Sequence, residues 1–257
     1  MKFLDKKALI TGASRGIGRA IAIKLAQEGA DILLHYRKNS EAAVATKQEI
    51  ERLGRKAWLY AADLASAIDA EKMLLAVKKD HLSLDIFVAN AASTAFKPLT
   101  QLDGHHIEKT LRLVITSFIL TVKSLAPLLQ NRNASIVTIS GIDTVKIFPG
   151  HGLLACAKGA LEILTKYFAV ELGPLKIRVN AVNPGLVDTD STRFYLGEAF
   201  EAIATAANTI APGKGVGLPT DVANIVAFLC SDESAWITGQ TIYADGGISG
   251  MLPLDRG

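Results

Sequence analysis

Cysteine is nearly absent: the 257 residues hold two, Cys156 and Cys230. Two thiols cannot staple a fold, and neither sits in a C-x-x-C or other metal-like cluster, so the chain reads as a cytoplasmic protein with free thiols. Proline is sparse too, at 8 residues, and with only 21 glycines the composition excludes a disordered or fibrous polymer. Charge of one sign is missing: 28 Lys and Arg face 25 Asp and Glu, and a net charge of +3 leaves no electrostatic footprint for nucleic acid. No apolar run reaches the ~18 residues of a membrane span. At the N-terminus, Asp5, Lys6 and Lys7 interrupt any stretch that would serve as a signal peptide. What remains is a globular chain, 49% hydrophobic, with length enough for one large α/β core.

Short apolar runs alternate with segments of helical period. The runs occupy 6–11, 30–36, 56–61 and 84–89, and helical spacing fills 16–29, 40–53 and 67–79 between them. A long helix over about 106–130, a strand at 135–140, a helix at 152–172, a strand at 176–182, a helix at 219–231 and a last strand near 240–244 complete the succession. This rhythm predicts an α/β fold, a doubly wound parallel sheet of seven strands with helices on both faces. No Pro/Gly/Ser-rich linker divides it, so residues 1–257 read as a single domain. Residues 184–218 break the rhythm, with Gly, Pro, Asp and Thr around a weak helix, and predict a substrate lid at about 186–218. The tail 251–257 either lies loose or packs on a neighbouring subunit; the sequence leaves both open.

The first strand runs into Thr11-Gly12-Ala13-Ser14-Arg15-Gly16-Ile17-Gly18, which opens the first helix. Glycines at that spacing allow a tight turn and let backbone N–H groups at a helix N-terminus approach a pyrophosphate. After the second strand comes His35-Tyr36-Arg37-Lys38, with no acidic residue to hold a ribose 2′-hydroxyl. Arg37, with Arg15 from the glycine loop, suits a 2′-phosphate instead, since a guanidinium offers paired donors to phosphate oxygens. NADP(H) is therefore expected over NAD(H).

Further stretches join the glycine loop: Asp63-Leu64, Ala89-Asn90-Ala91-Ala92, Asn183-Pro184-Gly185-Leu186-Val187-Asp188-Thr189, Ile237-Thr238-Gly239 and Asp245-Gly246-Gly247. With these, from Lys6 to about Gly247, the chain resembles the short-chain dehydrogenase/reductase family, whose fold is of Rossmann type. The resemblance implies adenine contact by Asp63, with Leu64 beside it, and support near the ribose by Asn90 and Ala91. It also implies a clasp on the nicotinamide by Pro184, Gly185, Val187 and Thr189. A homotetramer is implied as well, with the helices at 106–130 and 152–172 packing on symmetry mates. Leu113, Phe118 and Leu120 on the first, and Leu161, Leu164 and Phe168 on the second, are the apolar residues expected to exceed what one sheet face needs.

The catalytic end departs from the family pattern. In the family a Tyr hydroxyl handles the proton as hydride moves, a Lys lowers its pKa and holds the ribose, and Ser and Asn orient substrate and water. Lys158 stands at the lysine position, but Leu154 occupies the tyrosine position, Gly141 the serine position with Ser140 beside it, and Leu113 the asparagine position. No tyrosine occurs from 61 to 166 and no asparagine between Asn90 and Asn131, so no shift of register restores them. Enoyl-thioester reductases of the same fold place their tyrosine seven residues before the lysine, and here that position is His151. An imidazole ordinarily titrates near 6.5, so its protonated form can donate to an enolate oxygen. Tyr195 in the lid is a further candidate, as donor or substrate contact. His105-His106 reads as surface, and with no H-E-x-x-H or similar cluster no metal is expected. Three readings stand: an NADP(H)-dependent reductase of an enoyl or ketoacyl thioester with an altered donor, a nucleotide-binding pseudo-reductase, and a non-redox enzyme of dehydration, isomerisation or cyclisation.

Overall fold

The computed structural model describes residues 1–250; the tail at 251–257 lies outside the described residues. Strands β1 (Lys7–Ile10), β2 (Asp31–Tyr36), β3 (Ala57–Ala61), β4 (Ile86–Ala89), β5 (Ala134–Ile139), β6 (Ile177–Pro184) and β7 (Thr241–Ala244) form one sheet. Every pairing is parallel, in the order β3-β2-β1-β4-β5-β6-β7. Parallel strands need crossovers, which the helices α1 (Gly16–Gln27), α2 (Ser40–Arg52), α3 (Ala67–Asp80), α4 (Gly104–Leu111), α5 (Ser117–Leu129) and α6 (Gly152–Leu172) supply. Two shorter helices, α7 (Asp190–Leu196) and α8 (Phe200–Ile210), precede α9 (Pro219–Cys230).

Alternation along the strands sends side chains to two cores. On β1, Ala8 and Ile10 pack with Ile21 and Leu25 of α1 and Val222 and Val226 of α9. Leu9 between them points the other way, to Val77 of α3, Phe118 and Val122 of α5 and Leu161 of α6. Each such buried Leu, Ile, Val or Phe side chain contributes about 1.5–3 kcal/mol relative to exposure. The strand order reverses between β1 and β4, and a doubly wound sheet binds its ligands in the crevice outside the carboxyl ends at that point.

Two expectations need correction. The long helix is not uniform: α4 and α5 are joined by one wide π turn, Arg112–Thr116, where the Ser117 hydroxyl donates to the Leu113 carbonyl and competes for the ladder acceptor. Also against expectation, Gly104–Leu129 is apolar enough, by length and composition, to cross a membrane. Here Leu113, Val114, Phe118, Val122, Leu125 and Leu129 are buried in the second core, so its apolarity serves packing.

The excursion expected at 186–218 holds α7 and α8 rather than one weak helix. Arg193 chelates Asp188 at 2.6 and 2.8 Å, bonds Glu201 at 3.1 Å and lies 4.2 Å over the Phe200 ring. That network ties the two helices together. Its base is closed by a parallel bridge between Val187 and Gly217, with Gly217 N–H donating to Leu186 O at 2.8 Å and Asp188 N–H to Gly217 O at 2.9 Å.

Candidate active site

At the β1–β4 crevice the glycine loop is held from three sides. Asn90 Nδ2 donates to Thr11 O at 2.9 Å and Gly12 O at 3.1 Å, while Thr11 Oγ1 accepts from the N–H groups of Asn90 at 3.0 Å and Ala91 at 3.1 Å. Gly12 N–H donates to Nδ1 of buried His35 at 3.0 Å, and His35 Nε2 lies 3.1 Å from Ala62 O. The ring is therefore neutral with its proton on Nε2, and burial pushes its pKa down to about 4. Gly12 adopts a φ of +66°, and a Cβ on Gly18 would lie 2.3 Å from Gly12 O, so both positions demand glycine.

This cradle fits a dinucleotide. No side chain caps α1, which leaves the N–H groups of its first turn to an anion. Arg15 and Arg37 are exposed and form no ion pair among the described residues. Ser14 and Ile17 lie within the loop, half-buried. Asp63 stands two residues past the end of β3, where its carboxylate accepts from Ala65 N–H at 3.0 Å, and Leu64 beside it is buried. On the far side of the crevice Pro184 ends β6, Gly185 N–H donates to Ala244 O at 3.0 Å, and Val187 is buried. Thr189 caps α7, and its Cγ2 lies 3.7 Å from where a Cβ on Gly16 would stand, so the two halves of the cradle meet.

Lys158 lies on α6 with 6% of its surface exposed, and Nζ donates to Ile139 O at 2.6 Å. Burial pushes its pKa down to about 8, against the opposing charge of Asp143. Two turns earlier, at the N-cap of α6, His151 sets Nδ1 2.6 Å from Asp143 Oδ1. Three aromatic rings enclose the imidazole: Phe96 at 4.6 Å, Phe148 at 5.6 Å and Tyr195 at 5.4 Å between centroids. Tyr195 reaches in from α7 and stacks on Phe96 at 4.6 Å. Burial first, then the charge of Asp143, holds the Tyr195 phenol above its ordinary pKa.

The structure thus brings His151, Lys158 and Tyr195 around Asp143, and sets Ser140 elsewhere. Ser140 is buried with its hydroxyl donating to Glu162 Oε1 at 2.6 Å, so it faces Glu162 rather than His151. The same carboxylate oxygen accepts from Thr144 Oγ1 at 3.1 Å and Asn183 Nδ2 at 2.7 Å. Leu113 gives an apolar wall, lining a small cavity with Thr11, Ala91 and Leu161. Asp143, Glu162, Phe96 and His35 escaped the sequence reading. A signal for Asp143 existed, an acid two residues past the side-chain-less Gly141. Against the expectation of no metal-like cluster, Asp103, His105 and His106 bring ligand atoms within 4.8 Å of one another at the start of α4. His106 Nδ1 there already accepts from Asp103 N–H at 3.3 Å, and the nearby charge of Lys97 opposes a cation.

With this cradle and lysine on one doubly wound sheet, the chain belongs to the short-chain dehydrogenase/reductase family. Within it, the family model described as Enoyl-(Acyl carrier protein) reductase matches residues 12–249. The chain is 36% identical over 247 residues to 1-cyclohexenylcarbonyl-CoA reductase of Streptomyces collinus, covering 96% of this chain and 88% of that protein. It is 34% identical over 246 residues to 3-oxoacyl-[acyl-carrier-protein] reductase FabG of Staphylococcus aureus, covering 95% and 98%. Among solved structures, a short-chain dehydrogenase from Burkholderia cenocepacia in complex with NADP superposes with a TM-score of 0.89 at 34% identity, covering 98% of this chain and 100% of that one.

Proposed function

We propose that the protein is an NADP(H)-dependent reductase of an enoyl or ketoacyl thioester in which His151 is the proton donor. The observation that carries this is the imidazole itself: bonded to Asp143, walled by Phe96, Phe148 and Tyr195, and seven residues before Lys158 on α6. NADPH, when bound, supplies the hydride. Arg15 and Arg37 select it by pairing with the 2′-phosphate, and Gly12 to Gly18 leave room for the pyrophosphate at the start of α1. Lys158 holds the nicotinamide ribose through its ammonium. His151 Nε2–H donates to the substrate oxygen on which charge develops, and Tyr195 with Phe96 excludes water from that bond. The alkene reading is favoured over the ketone, because the Streptomyces collinus relative acts, by its name, on a thioester whose carbonyl adjoins a ring alkene.

A single domain carries both ends of the site, the lid at 186–218 closes over the substrate, and the protein works in the cytoplasm. Copies assemble as a homotetramer through α5 and α6. Of the residues first expected at that contact, Leu113, Phe118 and Leu161 are buried in the protomer core, with Leu164 and Phe168 packed against it. Leu120 on α5, also expected there, is exposed, and the rest of the exposed stripe is Ile119 on α5 with Ile163 (52%), Tyr167 (65%) and Val170 (78%) on α6.

The test follows loss of NADPH absorbance with crotonyl and acetoacetyl thioesters. Turnover is expected with the crotonyl ester, and His151→Ala should lower kcat by about 100- to 1,000-fold, the usual worth of a donor aimed at developing charge, with NADPH affinity retained. A His151→Ala variant at the wild-type rate refutes the donor assignment and moves it to Tyr195. The absence of a tyrosine at Leu154 supports a second reading, a pseudo-reductase or non-redox enzyme, which NADPH binding without turnover would select.

A further inference from the structure

The Asp143 carboxylate spends its two oxygens on different neighbours. Oδ1 lies 2.6 Å from His151 Nδ1, and Oδ2 lies 3.3 Å from where a Cβ on Gly141 would stand, so it fills the space that Gly141 leaves open. Both partners are nearly dry, with side chains 11% exposed for Asp143 and 13% for His151. The turn that carries Asp143, Ile142–Thr144, is itself anchored. Thr144 Oγ1 donates to Glu162 on α6 at 3.1 Å, and Asn183 on β6 donates to Thr144 Oγ1 at 2.8 Å and to Glu162 at 2.7 Å. Ser140 completes the anchor at 2.6 Å from the same carboxylate. This polar cluster fixes where Asp143 stands.

An ionised carboxylate only accepts, so the shared proton sits on His151 Nδ1, and Nε2 is the ring nitrogen left for a substrate. Phe96, Phe148 and Tyr195 prevent the ring from turning away. Lys158 and Tyr195 feel the same negative charge, so one carboxylate serves three groups from α6 and the lid.

We infer that Asp143 is the positioning residue of this site, holding His151 by Nδ1–H so that Nε2–H points at the substrate oxygen and compensating the imidazolium until it gives up its proton. The inference rests on the donor role given above to His151. As charge develops on the substrate oxygen, the Nε2–H bond breaks and an O–H bond forms. The N–H electron pair stays on Nε2, leaving a neutral imidazole still bonded to Asp143. With a ketone substrate this completes the alcohol. With an alkene the enol gives its O–H proton to solvent as a solvent proton forms the C–H bond at the α carbon. A further solvent proton recharges Nε2 before the next turnover.

The full-length protein tests this with Asp143→Asn, Asp143→Glu, His151→Ala and the double variant Asp143→Asn/His151→Ala. Steady-state rates are measured with NADPH and a crotonyl thioester, and the ring is read by nitrogen NMR on histidine-labelled protein, where the His151→Ala spectrum assigns one of five histidines. Asp143→Asn should lower kcat about 10- to 100-fold, within the range of general acid–base contributions, with KM for NADPH unchanged. Asp143→Glu should recover part of the rate. The double variant should be no slower than His151→Ala alone, because a positioning residue has nothing left to position. The neutral ring should carry its proton on Nδ1 in the wild type and lose that preference in Asp143→Asn. A slow His151→Ala beside a wild-type rate for Asp143→Asn overturns the inference alone, as do single losses that multiply fully in the double variant. His151→Ala at the wild-type rate overturns the donor reading and the inference with it.

Discussion

Acid should loosen the cofactor cradle through one buried histidine. His35 is 2% exposed, accepts from Gly12 N–H through Nδ1, and stays neutral with its pKa pushed down to about 4 by burial. In the unfolded chain the same ring titrates near 6.5. Its contribution is therefore complete above about pH 6.5, is lost progressively as the unfolded state takes up a proton the native state refuses, and levels off below about 4. A gap of about 2.5 pKa units at 1.36 kcal/mol per unit gives a full loss of about 3 kcal/mol, of which about 2 kcal/mol falls between pH 7 and 4.5. Urea unfolding of the wild type and His35→Asn at those two pH values isolates it. The asparagine offers Oδ1 to Gly12 N–H, does not titrate, and should be the less stable protein at neutral pH. Its deficit should shrink by about 2 kcal/mol in acid. A deficit that is the same at both pH values refutes the reasoning.

Arg37→Asp should reverse the cofactor preference, weakening NADPH binding about 10- to 100-fold by fluorescence titration, since a charge-assisted phosphate bond contributes about 1.5–3 kcal/mol. Lys158, with its pKa near 8, is an ammonium below that value and neutral above it, so kcat/KM should fall as pH rises through about 8, and Lys158→Met should lower the rate and remove that limb. Val170→Asp, on the exposed α6 stripe, should shift the assembly from tetramer to smaller species by light scattering; an unchanged mass would place the contact elsewhere.

The sheet and its order of elements were readable because buried parallel strands are short apolar runs and their crossover helices keep a 3.6-residue period. The glycine loop was readable for a different reason: Gly12 holds a positive φ and Gly18 sits where no side chain fits, so residue type and backbone shape are the same fact. The chemistry at α6 was only half legible. Counting seven residues back from Lys158 finds His151, but its partner Asp143 comes from a turn after β5, and only the packed fold brings the two within 2.6 Å. The Ser140 hydroxyl faces Glu162 because successive residues leaving a strand point to opposite sides, and which side holds the site is a tertiary fact. The π turn at Arg112–Thr116 was hidden because its apolar spacing looks like that of any long helix.

The bridge between Val187 and Gly217 makes the segment between them a cassette. Its two ends are fastened to each other at the rim of the sheet, so the closure entropy of the loop is settled at that clasp. Doubling the length between such anchors costs only about 0.6 kcal/mol. Inside the clasp, α7 and α8 hold themselves together through Arg193, Asp188, Glu201 and Phe200. Insertions and deletions beyond α7 therefore leave the sheet almost undisturbed, while Thr189 and Tyr195 tie the start of the segment to the glycine loop and to His151. The segment beyond α7 becomes an interchangeable part, free to drift in evolution or to be swapped by design while the sheet beneath it stays fixed.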